Sequence, residues 1–332
     1  MPRYFSNRQI NYAAWDACVA ASEQRLVYAL SWYLDVVSPG WAGLVEEQDG
    51  QYVAVMPLPI KQQFGIHYLA QPLFCQQLGF FAITNAVQPK QFVAAIKRHF
   101  SLISKYTFNT SNTFLLNPEE KSDLHVYQHY THHLNLNQSY EAIYQNYSRD
   151  RKLNLKRSQK AGLIIRESTD IEILIRLFKE DAATRIRGGV SEAAYGQLQQ
   201  LYQVLAAKGL ATLLYTQTSA GEIDAGCLFV TYGQKIIYLF NAASIAGRSR
   251  NGRSLMLDYM IQKYAGQPYI FDFESPADIS SIIRVYQGFG AEPAPFYTIT
   301  QNNLPVPLKF LKKARQFLYL KVIANFTAKP SS

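Results

Sequence analysis

Three groups of residues in this chain could carry chemistry. The first is Arg149-Asp-Arg-Lys-Leu-Asn-Leu-Lys-Arg-Ser-Gln-Lys160. At helical pitch Arg149, Lys152, Lys156 and Lys160 form one stripe, with Arg157 beside it and almost no carboxylate to neutralise it. Such a face attracts phosphate oxygens, and without a ligand it is a solvated surface helix. The second is Ala246-Gly-Arg-Ser-Arg-Asn-Gly-Arg-Ser254, placed directly after a strand-like run and before a helix-like one. A small flexible loop at a helix start offers unpaired N–H groups and the positive helix end to an anion. Gly252 would permit close approach, Ser254 opens the helix, and Arg248, Arg250 and Arg253 add charge; otherwise the segment is a surface turn. The third is Phe271-Asp-Phe-Glu-Ser275, where strand alternation puts Asp272 and Glu274 on one face. Two carboxylates beside a cleft serve as base or orienting group. Paired with an arginine such as Arg284, or capping the next helix, they serve structure instead.

Other chemistries find no support. His125, His129, His132 and His133 fall on a strand-like stretch, where a spacing of four does not gather rings around an ion, so no metal is expected. Cys18, Cys75 and Cys227 form no C-x-x-C pair, which argues against a disulfide framework or a cysteine zinc site. No G-x-S-x-G elbow, P-loop or dinucleotide fingerprint is present.

The elements that must position these residues are announced twice. Turns at Asp49-Gly50 and Phe64-Gly65 punctuate strand-like runs in the first half; Ala220-Gly221 and Tyr232-Gly233 do so in the second. Each hairpin leads to a helix-like stretch (89–104 and 253–265) and then to a short strand starting near Tyr106 or Tyr269. The copies are offset by roughly 165 residues, about one domain length. Two similar α/β (α+β) domains follow, 1–138 and 139–304, each a mixed, mostly antiparallel sheet flanked by helices. Residues 11–34 predict a helical region, 129–137 a strand, and 140–147, 149–161 and 191–207 helices. Residues 295–300 predict the last strand. The tail, 305–332, predicts a basic amphipathic helix over 305–325, docked across the domains or lying on a membrane surface.

At 332 residues the chain can bury two cores, and 48% hydrophobic with 17% charged residues describes a folded protein rather than a disordered one. The formal charge of +9 fits an anionic partner or an ordinary basic surface. The first residues hold no apolar signal-peptide core, and no apolar run reaches the ~18–20 residues that span a bilayer. A cytoplasmic protein, in peripheral contact with the membrane at most, is the expectation.

These residues resemble the GNAT (N-acetyltransferase) superfamily, in the branch of tandem-GNAT Fem-type aminoacyl and acyl transferases. The resemblance rests on order and spacing. Tyr147 to Leu163 is similar to the family's Arg/Lys-rich helix. Ala225-Gly-Cys-Leu-Phe, Tyr238-Leu-Phe-Asn-Ala-Ala243, Phe271-Asp-Phe and Phe289-Gly-Ala291 follow in the expected sequence. The resemblance implies an amide-forming transferase whose donor is acyl-CoA (acetyl-CoA) or aminoacyl-tRNA. Its acceptor would be an amine on a small molecule or a cell-envelope precursor, and no metal is used. It implies a cleft beside splayed strands with Tyr238 and Asn241 on its wall. Arg248, Arg250, Gly252, Arg253 and Ser254 would lie at the phosphates, and Asp272 or Glu274 near the amine. Arg185 and Arg187, before Gly188-Gly189, would form a loop for an acidic ligand. The family's pyrophosphate loop reads Gln/Arg-x-x-Gly-x-Gly/Ala, and Ser249-Arg-Asn-Gly252-Arg-Ser254 departs from it at both ends. A protein that binds ligand or partner without turnover, at the membrane surface or elsewhere, is the alternative.

Overall fold

Asp49 and Gly50 both take left-handed backbone, φ 50° and 75°, the geometry of a two-residue hairpin whose twist suits its strands. In the computed structural model, which describes residues 1–63, 65–113, 124–186, 188–276 and 279–305, this turn joins two strands of a small sheet. Strand β1 (Arg3–Ser6) is followed by helices α1 (Tyr12–Ala21) and α2 (Ser31–Val37). Next come β2 (Ala42–Gln48), β3 (Gln51–Leu58), β4 (Ile60–Gln63), β5 (Ile66–Ala70), β6 (Phe81–Ala82), α3 (Pro89–His99), β7 (Leu102–Thr107) and β8 (His125–Asn135). The second half runs α4 (Tyr140–Gln145), α5 (Arg149–Lys160), β9 (Ile164–Glu167), α6 (Glu172–Leu177) and α7 (Glu192–Ala207). Strands β10 (Ala211–Gln217), β11 (Ile223–Tyr232) and β12 (Lys235–Ala243) lead to α8 (Ile245–Arg250) and α9 (Gly252–Tyr264). The chain then forms β13 (Ile270–Asp272), α10 (Ser280–Gln287) and β14 (Glu292–Asn302).

The fold is mixed α/β with mostly antiparallel sheets. One sheet has the order β1-β2-β3-β6, and a second of ten strands runs β4-β5-β7-β14-β8-β13-β12-β11-β10-β9. The expected repetition is visible in the parallel pairs. β5 and β7 are parallel with α3 between them in sequence, as β12 and β13 are with α9 between them. One difference between the halves has a local cause. Pro59, which lacks a ladder N–H, separates β3 from β4, so that strand is divided between two sheets, whereas β11 stays whole.

The halves are joined by strand pairing and by packing. β14 lies between β7 and β8, two strands from before residue 138. The larger core unites Trp15, Tyr28 and Leu34 with Leu198, Leu205 and Leu228. Each such side chain, fully buried, contributes roughly 1.5–3 kcal/mol. A second core, with Phe229, Met256, Phe271 and Phe289, fills the space between the sheet and α9.

Helix boundaries follow side-chain chemistry. Ser139 and Ser148 accept hydrogen bonds from the N–H groups of Ala142 and Arg151 and so cap α4 and α5. Gly162, φ 65°, ends α5 as expected. Two expectations need correction. α3 ends at His99 and β7 begins at Leu102, four residues before the Tyr106 start, because Phe100 turns extended and Leu102 and Ile103 are buried in the sheet. The strand read through Ser275 ends at Asp272, because Glu274 takes left-handed backbone, φ 47°. The basic tail from residue 306 onward, like Arg187 and Asp278, lies outside the described residues. Among the described residues no helix is long and apolar enough to cross a membrane.

Candidate functional site

Ser244 caps α8 by accepting from the Gly247 N–H, and Asn251 in left-handed backbone, φ 63°, turns the chain into α9. The segment expected to be a flexible loop is therefore a short helix and a tight joint. Residues 246–250 can coil because Ser244 supplies the cap and Gly247 lets α8 press on β11. A Cβ at Gly247 would sit 2.1 Å from the Asp224 carbonyl oxygen. The joint directs the N-terminus of α9, thirteen residues long, into a cavity of about 330 Å³. No side chain caps that end, so its first-turn N–H groups keep their partial positive charge.

The cavity wall combines the end of β12 (Tyr238, Asn241), Arg248 and Arg253 from α8 and α9, and Arg151 and Asn154 from α5, with α10 closing the side. Among the described residues no Asp or Glu lines it, and Arg248 is paired from outside with Asp181. Arg253 donates to Asn241 Oδ1 at 2.9 Å, and Arg151 to Ser254 Oγ at 3.4 Å. Both guanidiniums are thus oriented by neutral partners. A cavity with arginines and a helix N-terminus suits phosphate oxygens.

The residues singled out from the sequence divide. Tyr238, Asn241, Arg248, Arg253 and Ser254 meet at this cavity. Arg250 does not line it. Its Nη1 lies 3.0 Å from Asp224 Oδ2, and that buried carboxylate also accepts from Thr216, so Arg250 braces α8 to the sheet. Gly252 faces inward rather than toward a ligand; a Cβ there would meet Thr216 Oγ1 at 2.4 Å. Lys152 and Lys156 lie off the cavity. Lys152 donates to the Gln145 carbonyl and sits over the Tyr144 ring, while Lys156 is exposed. Helical pitch explains this, since Arg151 and Asn154 are three apart and occupy the inward face. Arg185 is paired with Asp181 at 2.6 Å, and Arg248 reaches the same carboxylate. Hydrogen bonds from the two arginines hold Asp181 down to about 2.

A second cavity, about 450 Å³, opens where the halves meet, lined by Phe74, Cys75, Lys105, His129, Leu239 and Glu274 among others. Its link to the first is β12. Phe229 faces Tyr238 and Leu228 faces Phe240 in the β11 ladder, so Leu239 is the extra residue of a bulge. Tyr238 lines the first cavity and its neighbour Leu239 the second. β13 pairs with β12 only up to Ile237 and Asp272, leaving a gap beyond.

Asp272 and Glu274 end up in unlike settings. Asp272 is buried, accepts from Thr131 at 2.6 Å and from the Glu274 N–H at 3.0 Å, and lies 3.2 Å from His133 Nε2. Burial alone would raise it, but His133, then Lys235 and Thr131, hold it to about 2. It is a fixed charge inside the sheet. Glu274 is half-buried and faces the second cavity. Loss of hydration, then the Asp272 charge, pushes it up to about 8 against the hydrogen bond from Tyr28. Such a carboxyl exchanges protons near neutral pH.

No protein-family model and no curated protein matches the chain. Solved structures do. FemX superposes with a TM-score of 0.62 at 15% identity, over 91% of this chain and 98% of that one. A conserved protein of unknown function from Bacteroides thetaiotaomicron gives 0.56 at 12% identity, over 91% and 100%. A tandem GNAT protein from the clavulanic acid biosynthesis pathway gives 0.55 at 12% identity, over 92% and 99%. The chain has a tandem-GNAT fold resembling FemX.

Within that fold, sequence reasoning missed Arg151, Asn154, Tyr286 and Tyr28. The first two lie on the basic helix already suspected, and only the direction of the stripe was misjudged. Tyr286, on the amphipathic α10, completes the first cavity. Tyr28 carried no local signal, because it meets Glu274 across 246 residues.

Proposed function

We propose that this protein is an N-acyl or aminoacyl transferase that joins a phosphate-bearing activated donor, acyl-CoA or aminoacyl-tRNA, to an amine. One observation carries the reading. Tyr238 and Leu239, consecutive residues of a bulged strand, line an arginine-rich cavity and a second cavity holding a raised carboxyl. The donor's phosphates rest on the N-terminus of α9 with Arg151, Arg248 and Arg253, and its carbonyl lies at the gap between β12 and β13. The amine enters from the side of Glu274. Two GNAT-like units divided near residue 138 compose this site together.

The amine nitrogen attacks the donor carbonyl carbon. A C–N bond forms, and the thioester C–S or ester C–O bond breaks. Glu274 in its carboxylate form takes the amine proton, while backbone N–H groups freed by the bulge polarise the carbonyl. Burial keeps the Tyr238 hydroxyl protonated, so it can donate a hydrogen bond to the leaving sulfur or oxygen, and the proton held by Glu274 is released to the leaving group or to solvent. Retention of donor without transfer is the second reading, favoured by Ser249 and Ser254 at the ends of the phosphate loop.

Thermal shift with CoA, acetyl-CoA, longer acyl-CoAs and an aminoacyl-tRNA tests the donor. A ligand at ~100 times its Kd stabilises by about 2.7 kcal/mol. A shift that Arg253→Ala and Arg151→Ala both remove supports the site, and amide formation on an added amine supports transfer. A shift with no transfer to any amine favours the second reading. No shift with any donor overturns both.

A further inference from the structure

Glu274 is an awkward residue to hold in place. Its backbone is left-handed, which a glutamate adopts rarely, and its side chain projects from a strand end rather than from a regular element. Among the described residues its carboxylate has one hydrogen-bond donor, the Tyr28 hydroxyl. Tyr28 belongs to the Val27–Ala29 turn of the first half and is buried in the core shared by both halves. Tyr33 packs edge-on against it at 5.3 Å and donates to the Phe74 carbonyl on the rim of the same cavity. The aromatic pair thus ties the carboxylate and the cavity rim to one rigid body.

We infer that Tyr28 is a positioning residue for Glu274, reaching from the first half to orient the carboxylate and stabilise its charged form. The inference rests on Glu274 being the base of the proposed transfer. The other groups facing Glu274 leave it as the carboxyl that changes charge near neutrality. Asp272 stays ionised, being held to about 2. Burial keeps Tyr33, Cys75 and Tyr286 protonated. Lys105 and His129 also line the cavity. Measurements in a His129→Gln background separate any contribution from that ring.

The test compares pH–rate profiles of transfer in the full-length protein. Removing a hydrogen bond to a carboxylate raises the pH at which it ionises by about one to two units. Tyr28→Phe should therefore lose roughly ten- to a hundredfold in rate at pH 7 and recover it toward alkaline pH, with donor thermal shift unchanged. A ring-fluorinated tyrosine at position 28, a stronger donor of the same shape, should move the profile the other way; it decides the matter if Tyr28→Phe does not fold. Unchanged profiles in folded protein overturn the inference. Should Glu274→Gln retain full transfer, the base assignment fails instead. Infrared titration of the Glu274 carboxyl, identified by its loss in Glu274→Gln, then judges Tyr28 directly: a shift with Tyr28→Phe supports it and no shift overturns it.

Discussion

Two carboxylates two residues apart behave oppositely here, and the difference yields a stability prediction as well as a catalytic one. Glu274 ionises at about 8 in the folded protein against an ordinary 4.5. Between those values the folded state keeps a proton that the unfolded state has released, so stability falls as pH rises through that window. Glu274→Gln removes this penalty. Its melting temperature should match the native protein's near pH 4.5 and exceed it increasingly up to pH 8, as scanning calorimetry would read. Asp272 has the opposite sign. Held to about 2, it contributes stability above the ordinary carboxylate range that is lost as pH falls toward 2. In transfer assays Glu274→Gln should lower the rate by about 10²-fold or more. Arg253→Ala should weaken the donor by roughly tenfold or more, since a charged hydrogen bond contributes about 1.5–3 kcal/mol. Arg250→Ala, which breaks the brace to Asp224, should instead lower stability and leave donor affinity nearly unchanged in titration calorimetry.

The unit that builds the first cavity is the β12–α8–α9 connection. Its glycines allow close packing against β10 and β11, and Gly247 also lines the cavity. Gly247→Ala would drive a Cβ into a backbone carbonyl, and Gly252→Ala into the Thr216 hydroxyl. Each should cost about 1–3 kcal/mol, visible as a lower urea midpoint. Gly247→Ala should be the worse of the two, because a backbone oxygen cannot rotate away. The sequence showed turn residues and positive charge here without showing a helix. Gly247 and Asn251 look like loop residues until β11 is placed beneath them, and only then does a six-residue helix become the compact solution.

The whole molecule is a shared sheet rather than two beads. β14, the last strand, inserts between β7 and β8, and the larger core draws on both halves. A fragment starting at residue 139 loses β8, the neighbour of both β13 and β14. It should fail to fold alone, giving no cooperative melt by circular dichroism, and should regain structure when co-expressed with residues 1–138. The proposed catalytic arrangement has the same dependence, since Tyr28 and the Phe74 rim come from the first half and Glu274 from the second.

Local chemistry was enough to announce the repeated hairpins and the basic helix ending at Gly162, and to single out the arginines of 248–253 and the carboxylates Asp272 and Glu274, whereas Tyr238 was marked only by the family resemblance. Those features depend on residues close in the chain, where turn conformation, capping and periodicity act directly. The partners of each charge depended on contacts between distant segments. Arg250 meets Asp224, Arg248 meets Asp181, and Glu274 meets Tyr28 across 26, 67 and 246 residues. Which arginine faces a ligand and which carboxyl titrates near neutrality follow from burial and from neighbours far away in the sequence, so the tertiary structure alone decided them.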